Sequence, residues 1–216
     1  MKSLPKYGII RIKVGDSMVK INKTAAVSIY KKALEEKNYK QILVLEKQII
    51  ATHNARYIYK FACDVLGTDR TNLTNGIIKA NNPLYVYYFA RDVKNLTKEH
   101  ILKLENYIIN SADYEIMLMF ARDIDRADIH LISTKVMTAP KYDDIINYMR
   151  FVKLDGTDIC FLNVKARSFI YEEMNEDLKK EYWSTIHEIF DKQDLSQKRS
   201  QSKKKLSFFR KICSKN

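Results

Sequence analysis

A chain of 216 residues with only five Gly and three Pro has little material for the tight turns of an all-β fold, whereas its abundant Leu, Ile, Lys, Glu and Tyr favour helices joined by short connections. The net charge of +12 is concentrated at the ends: residues 1–24 carry six Lys or Arg against one Asp, and residues 198–216 carry eight and no acid. Between them, 24 basic side chains face 25 acidic ones, which argues against a strong nucleic-acid footprint across the body, because such a footprint is a basic face.

Residues 1–24 read as a basic extension in which YGIIRIKVGDSMVKI, residues 7–21, can make a small β-hairpin around Gly15 and Asp16. The opening MKSLPKYGIIRIKV has an apolar run broken by Arg11 and Lys13, too short for a signal-peptide core, and no later run approaches the roughly 18 apolar residues of a membrane span. Cys63, Cys160 and Cys213 are odd in number and never form a CxxC pair, so neither a disulfide framework nor a cysteine zinc site is indicated. They read as reduced thiols of a cytoplasmic protein, in which the Asn-x-Thr matches at Asn22, Asn72 and Asn95 stay unglycosylated.

Residues 25–196 are expected to be one helical-repeat domain. AAVSIYKKALEEK, residues 25–37, predicts a helix that caps the array. Beyond it, FACDV at Phe61, FARDV at Phe89 and FARDI at Phe120 echo one another, and Tyr148 continues the series, with spacings of 28, 31 and 28 residues. Twelve residues before each anchor comes an apolar pair: Ile49 and Ile50, Ile77 and Ile78, Ile108 and Ile109, Val136 and Met137. Leu45, Leu73, Leu104 and Ile132 stand four residues earlier still, and these columns make the buried face of a first helix, A. Offsets −3, 0, +1 and +4 from the anchor are apolar in every copy, as in Val86, Phe89, Ala90 and Val93, a spacing that puts them on one side of a second helix, B. Seven residues before the anchor, Asn54, Asn82 and Asp113 can cap helix B, and Pro83 follows at the position where a missing N–H costs nothing. The fourth copy departs, with Lys141 at the cap and Pro140 before it.

A two-helix unit of about 30 residues cannot bury its own apolar faces and must stack on neighbours, so the pattern predicts an all-α fold, an α-solenoid. Across residues 38–152 the chain resembles the HEAT-like short helical-repeat families, including repeat proteins of bacteriophage and low-GC bacterial type that carry a similar FARDV signature. That resemblance implies architecture and brings no catalytic residues. Residues 153–196 read as a degenerate C-terminal cap: a fifth unit begins at DGTDICFLNVK and fades into SFIYEEM. LKKEYWSTIHEIF then predicts an amphipathic helix through Leu178, Tyr182, Ile186, Ile189 and Phe190.

Offset +2 holds Cys63, Arg91, Arg122 and Arg150, and offset +3 holds Asp64, Asp92, Asp123 and Phe151. That staggered absence is what a ladder between successive units would leave, pairing Asp64 with Arg91, Asp92 with Arg122 and Asp123 with Arg150; an unlinked solvated face fits the same letters. Tyr57, Tyr59, Tyr85, Tyr87 and Tyr88 gather in helix B, either as packing between units or as a contact surface, since Tyr and Arg are enriched at binding hot spots. The candidate partner-binding residues are Tyr57, Tyr85, Tyr88, Arg91, Arg122 and Arg150, led by Tyr88 and Arg91, one helical turn apart.

His53, His100, His130 and His187 are scattered without metal-ligand spacing, and no Gly-rich phosphate loop, GxSxG elbow or Cys/His dyad is present. No catalytic residue, cofactor or metal is expected, His187 and Glu188 beside Trp183 being the weakest of candidates. Residues 197–216, QKRSQSKKKLSFFRKICSKN, are expected to be a disordered polybasic tail. It can simply solubilise, or it can follow phosphates or lie on an anionic membrane through Lys198, Arg199, Lys203, Lys204, Lys205, Phe208, Phe209, Arg210 and Lys211. Its CSKN end lacks the aliphatic residues of a prenylation box. The functional expectation is a non-catalytic scaffold for protein–protein interaction with no small-molecule substrate. The alternative is nucleic-acid binding through the tail, with or without a solenoid groove, and the third reading is membrane-surface association through it.

Overall fold

The computed structural model describes residues 10–14, 17–21, 24–173, 176–177, 179–189 and 191. Two strands, β1 (Ile10–Val14) and β2 (Ser17–Ile21), are antiparallel with Ile10 opposite Ile21 and Val14 opposite Ser17. Gly15 and Asp16, on which the hairpin expectation rests, lie outside the described residues, as does the whole of residues 192–216. From residue 24 onward the described chain is helices and short connections, the all-α class that the composition predicts.

The chain divides into two compact units, Met1–Ile132 and Ser133–Asn216. In the first, α1 (Ala25–Glu35), α3 (Ala55–Asp64), α5 (Pro83–Asp92) and α7 (Tyr114–Asp123) pack in series, as do α2 (Tyr39–Ala51), α4 (Arg70–Lys79) and α6 (Lys98–Ser111). The B helices of the repeat are thus α3, α5 and α7 and the A helices are α2, α4 and α6. The helix α1 takes the first place in the B row, with Ala33 buried where Ala62, Ala90 and Ala121 stand in the others.

Local chemistry sets each turn. Asn54, Asn82 and Asp113 accept from the backbone N–H groups of Tyr57, Tyr85 and Ile116, at 3.3, 3.2 and 3.1 Å, so the caps fall where the spacing places them. The residue before each cap, His53, Asn81 or Ala112, has a left-handed backbone with φ of 50°, 53° and 54°. The fourth copy has Pro140 at that place, and a proline ring holds φ near −65°, so this turn cannot be repeated there. Lys141 accordingly precedes α9 without a side-chain cap.

Phe61, Phe89 and Phe120, with Ile49, Ile77 and Ile108, are fully buried, which is the apolar core shared by the two rows. One column inside this core is polar: Glu46, Thr74 and Glu105 each follow the leucine of helix A and are buried. Glu46 accepts from the Asp69 N–H at 2.7 Å and Glu105 from the Asp128 N–H at 3.0 Å, each tying one A helix to the cap of the next but one helix in the chain. Thr74 instead returns its hydroxyl to Arg70 O at 2.7 Å. The cap residue after it, Thr97, is served by His100, whose Nδ1 accepts from the Thr97 N–H at 3.1 Å and leaves Nε2 to face the Thr71 hydroxyl at 3.1 Å. Close approach in the A row passes through Gly76, where a Cβ would stand 2.7 Å from Ile50 Cγ1.

In the second unit, α8 (Ile129–Val136), which begins before the boundary, leads to α9 (Tyr142–Phe151) and α10 (Gly156–Glu173). The segment expected to open a fifth repeat is one continuous helix, α10, and it packs on α9; Ile145 and Tyr148 of α9 and Leu162 and Ala166 of α10 are fully buried. Residues 179–189 are helical, with Tyr182, Ile186 and Ile189 buried as their spacing predicts; Leu178 and Phe190 lie outside the described residues. Phe161, Val164 and Tyr171 leave an exposed apolar stripe on α10.

Candidate functional site

In α3, Arg56, Tyr59 and Lys60 are three and four residues apart and share one face; in α5, Tyr85, Tyr88 and Arg91 do the same at intervals of three. These six side chains line an open hollow of about 320 Å³ between neighbouring B helices. Its aromatic part is a triangle. Tyr59, Tyr85 and Tyr88 have ring centroids 6.1, 6.0 and 5.9 Å apart, tilted or edge-on, the arrangement that the ring quadrupole favours.

The hollow is positively charged, and unevenly so. Arg91 forks onto Asp92, Nε to Oδ1 at 2.7 Å and Nη2 to Oδ2 at 2.9 Å, while its Nη1 donates to Tyr87 Oη at 3.1 Å. Its guanidinium also stands 5.2 and 5.1 Å from the ring centroids of Tyr87 and Tyr88. Arg91 holds the Asp92 carboxyl below its ordinary range, and Tyr59 adds to that with a hydroxyl donated at 2.7 Å. This cation is therefore fixed and neutralised. Arg56 and Lys60, by contrast, have no hydrogen bond or ion pair from their charged ends to any described residue, and the Tyr85 and Tyr88 hydroxyls are also unengaged among them. Lys60 Nζ lies 5.9 Å from the Tyr30 ring centroid.

The expected Arg–Asp ladder is not what links successive B helices. Each Arg pairs with the Asp beside it, Arg91 with Asp92 and Arg122 with Asp123, the latter at 2.7 and 2.9 Å. The contact between helices is made by tyrosine: Tyr30 donates to Asp64, Tyr59 to Asp92 at 2.7 Å, and Tyr87 to Asp123 at 2.6 Å. The phenol, one turn before the Arg position, reaches the end of the next helix, where Asp is the last helical residue. Arg122 and then Tyr87 hold the Asp123 carboxyl down at about 2, and Asp64 raises the Tyr30 hydroxyl to about 12. In the second unit Arg150, which lacks a following Asp, donates to Thr185 at 2.9 Å.

Of the sequence candidates, Tyr85, Tyr88 and Arg91 come together in the hollow. Tyr57 packs against Tyr30 at 5.8 Å, Arg122 stands on α7 in its own ion pair, and Arg150 belongs to the second unit. Arg56 and Lys60 were missed, and their signal is the helical spacing to Tyr59 on α3. A second hollow of about 220 Å³, lined in part by Arg91, Asp123 and Arg126, has its cations already engaged, Arg126 with Leu96 O at 2.8 Å. His187 lies 6.5 Å from the exposed Trp183. Among the described residues, no group of three or more His, Cys, Asp or Glu could hold a metal ion, and no helix is long and apolar enough to cross a membrane. The nine tail candidates lie outside the described residues.

Comparison with known proteins adds no relative: no family model, no curated protein and no solved structure matches this chain.

Proposed function

We propose that this chain is an α-solenoid of two-helix repeats, of the HEAT-like kind it resembles, and that it works without catalysis as a cytoplasmic scaffold whose B-helix row receives a protein partner. The observation that carries this reading is the hollow between α3 and α5. Along that row the Tyr–Asp and Arg–Asp groups satisfy one another, whereas in this hollow two cations and two tyrosine hydroxyls lie together with no hydrogen bond or ion pair to a described residue. Large aromatic groups beside Arg are the residues that dominate protein interfaces.

The test is a photo-crosslinking residue placed at Tyr88 in the full chain, with capture from native lysate before and after nuclease treatment. A discrete protein adduct that survives nuclease and is lost in Tyr85→Ala/Arg91→Ala supports the reading; an adduct destroyed by nuclease overturns it. The eight uncompensated cations of residues 198–216 favour a second reading, nucleic-acid binding through the tail. On that reading, truncation after Gln197 abolishes binding and full-length affinity falls steeply with salt; unchanged affinity on truncation refutes it. The same truncation separates membrane-surface association, read with anionic vesicles.

A further inference from the structure

Resting on that interaction reading, we propose that the hollow between α3 and α5 is an anchor site for an acidic peptide segment, taking a carboxylate between Arg56 and Lys60 and an adjoining apolar side chain against Tyr85 and Tyr88. None of the six lining residues is acidic, and the two cations without an acceptor among the described residues both come from one turn of α3. An anion entering here meets donors that give up no hydrogen bond or ion pair to a described residue, only the approach of Lys60 to the Tyr30 ring, and such charge-assisted bonds are stronger than neutral ones. The Tyr85 and Tyr88 hydroxyls extend the donor set, and their rings supply apolar area at low entropic cost.

The same geometry disfavours two other occupants. Three rings about 6 Å apart resemble a cage for a quaternary ammonium, but Arg56 and Lys60 at its rim repel a cation. A nucleic-acid strand needs positive charge repeated along its backbone. On the next two B helices the arginines, Arg91 and Arg122, are each cancelled by their own Asp. One anionic anchor fits the hollow and a track of phosphates does not.

The experiment is fluorescence anisotropy on the full chain with a fluorescein-labelled alternating Glu-Phe decapeptide, a Gln-Phe decapeptide and a ten-residue oligo(dT). Arg56→Glu/Lys60→Glu reverses the two free cations; Lys94→Glu/Lys98→Glu makes the same charge change at exposed positions outside the hollow and controls for the basic tail. The expected result is Glu-Phe binding weakened at least tenfold by the first variant, less than threefold by the second, and at least tenfold weaker binding of Gln-Phe. Equal loss in both variants, or none in either, overturns the proposal, as does oligo(dT) binding tighter than Glu-Phe with the same dependence on Arg56 and Lys60. Circular dichroism of each variant guards against unfolding. If Glu-Phe binding proves independent of the hollow while the Tyr88 crosslink still captures a protein, the acidic-anchor inference fails alone; if no protein adduct forms, the broader interaction reading fails.

Discussion

Within the first unit, the A-helix seam and the B-helix seam both use an acid to join one repeat to the next, in opposite surroundings. Along the A helices, Glu46 and Glu105 accept from the Asp69 and Asp128 N–H groups with no more than 1 % of their surface exposed. Along the B helices, Asp64, Asp92 and Asp123 accept tyrosine hydroxyls at the edge of the protein, the latter two also from arginine. Burial raises both glutamates, Glu105 to about 7, whereas the Arg partners depress Asp92 and Asp123. The difference teaches where a ligand can enter. A dry seam has no donor to spare, and a wet one can leave donors such as Arg56 and Lys60 facing solvent.

The largest expected effect separates the seams by pH. Glu105 has a folded pKa near 7 and an unfolded value near 4.3, so the native state binds the extra proton between them. Its contribution is fully present below about pH 4 and is lost as pH rises through about 7, by an amount on the order of 4 kcal/mol at most. Glu46 works in the same direction. Thermal unfolding of the full chain from pH 5 to 8 should show stability falling, and Glu105→Gln, which keeps an acceptor for the Asp128 N–H, should flatten that slope. A slope unchanged by the substitution would mean that water reaches the A seam.

A smaller effect is expected in the B seam. Tyr87→Phe removes the hydroxyl that donates to Asp123 and accepts from Arg91, yet Asp123 keeps Arg122 and Arg91 keeps Asp92. A loss of about 1 kcal/mol follows, read as a lower denaturant midpoint with unchanged slope. A loss above about 3 kcal/mol would show that this seam is as dry as the other.

The apolar columns and three of the caps were legible because they recur: Phe61, Phe89 and Phe120 are meaningful as a series, as are Asn54, Asn82 and Asp113. The buried column Glu46, Thr74 and Glu105 recurs equally well but reads as surface, since Glu is almost never fully buried without a partner and that partner is a backbone N–H no letter announces. The Asp and Arg columns named the right helix end and the wrong partner, because spacing fixes a face and not the reach of a phenol. Arg56 and Lys60 were invisible to the repeat for the opposite reason. Their columns hold Leu84 and Tyr88 in the next copy and Glu115 and Met119 in the third, so the two cations that distinguish the hollow do not recur.

The smallest effect decides which contact sets the register of the B row. Arg122→Gln removes an ion pair in which both groups are part-exposed, 45 % for Arg122 and 25 % for Asp123, so the expected cost is below about 0.5 kcal/mol and shrinks with salt. Asp123→Ala should cost more, because Tyr87 loses its acceptor across the seam as well. Two double-mutant cycles share that Asp123 substitution, one with Arg122→Gln and one with Tyr87→Phe, and each isolates a pairwise coupling. Coupling to Tyr87 should exceed coupling to Arg122 and survive in high salt, since a phenol–carboxylate bond beside a 2 % exposed ring is shielded from counterions. If the Arg122 coupling is the larger, the register is electrostatic, and the two seams differ less than their geometry indicates.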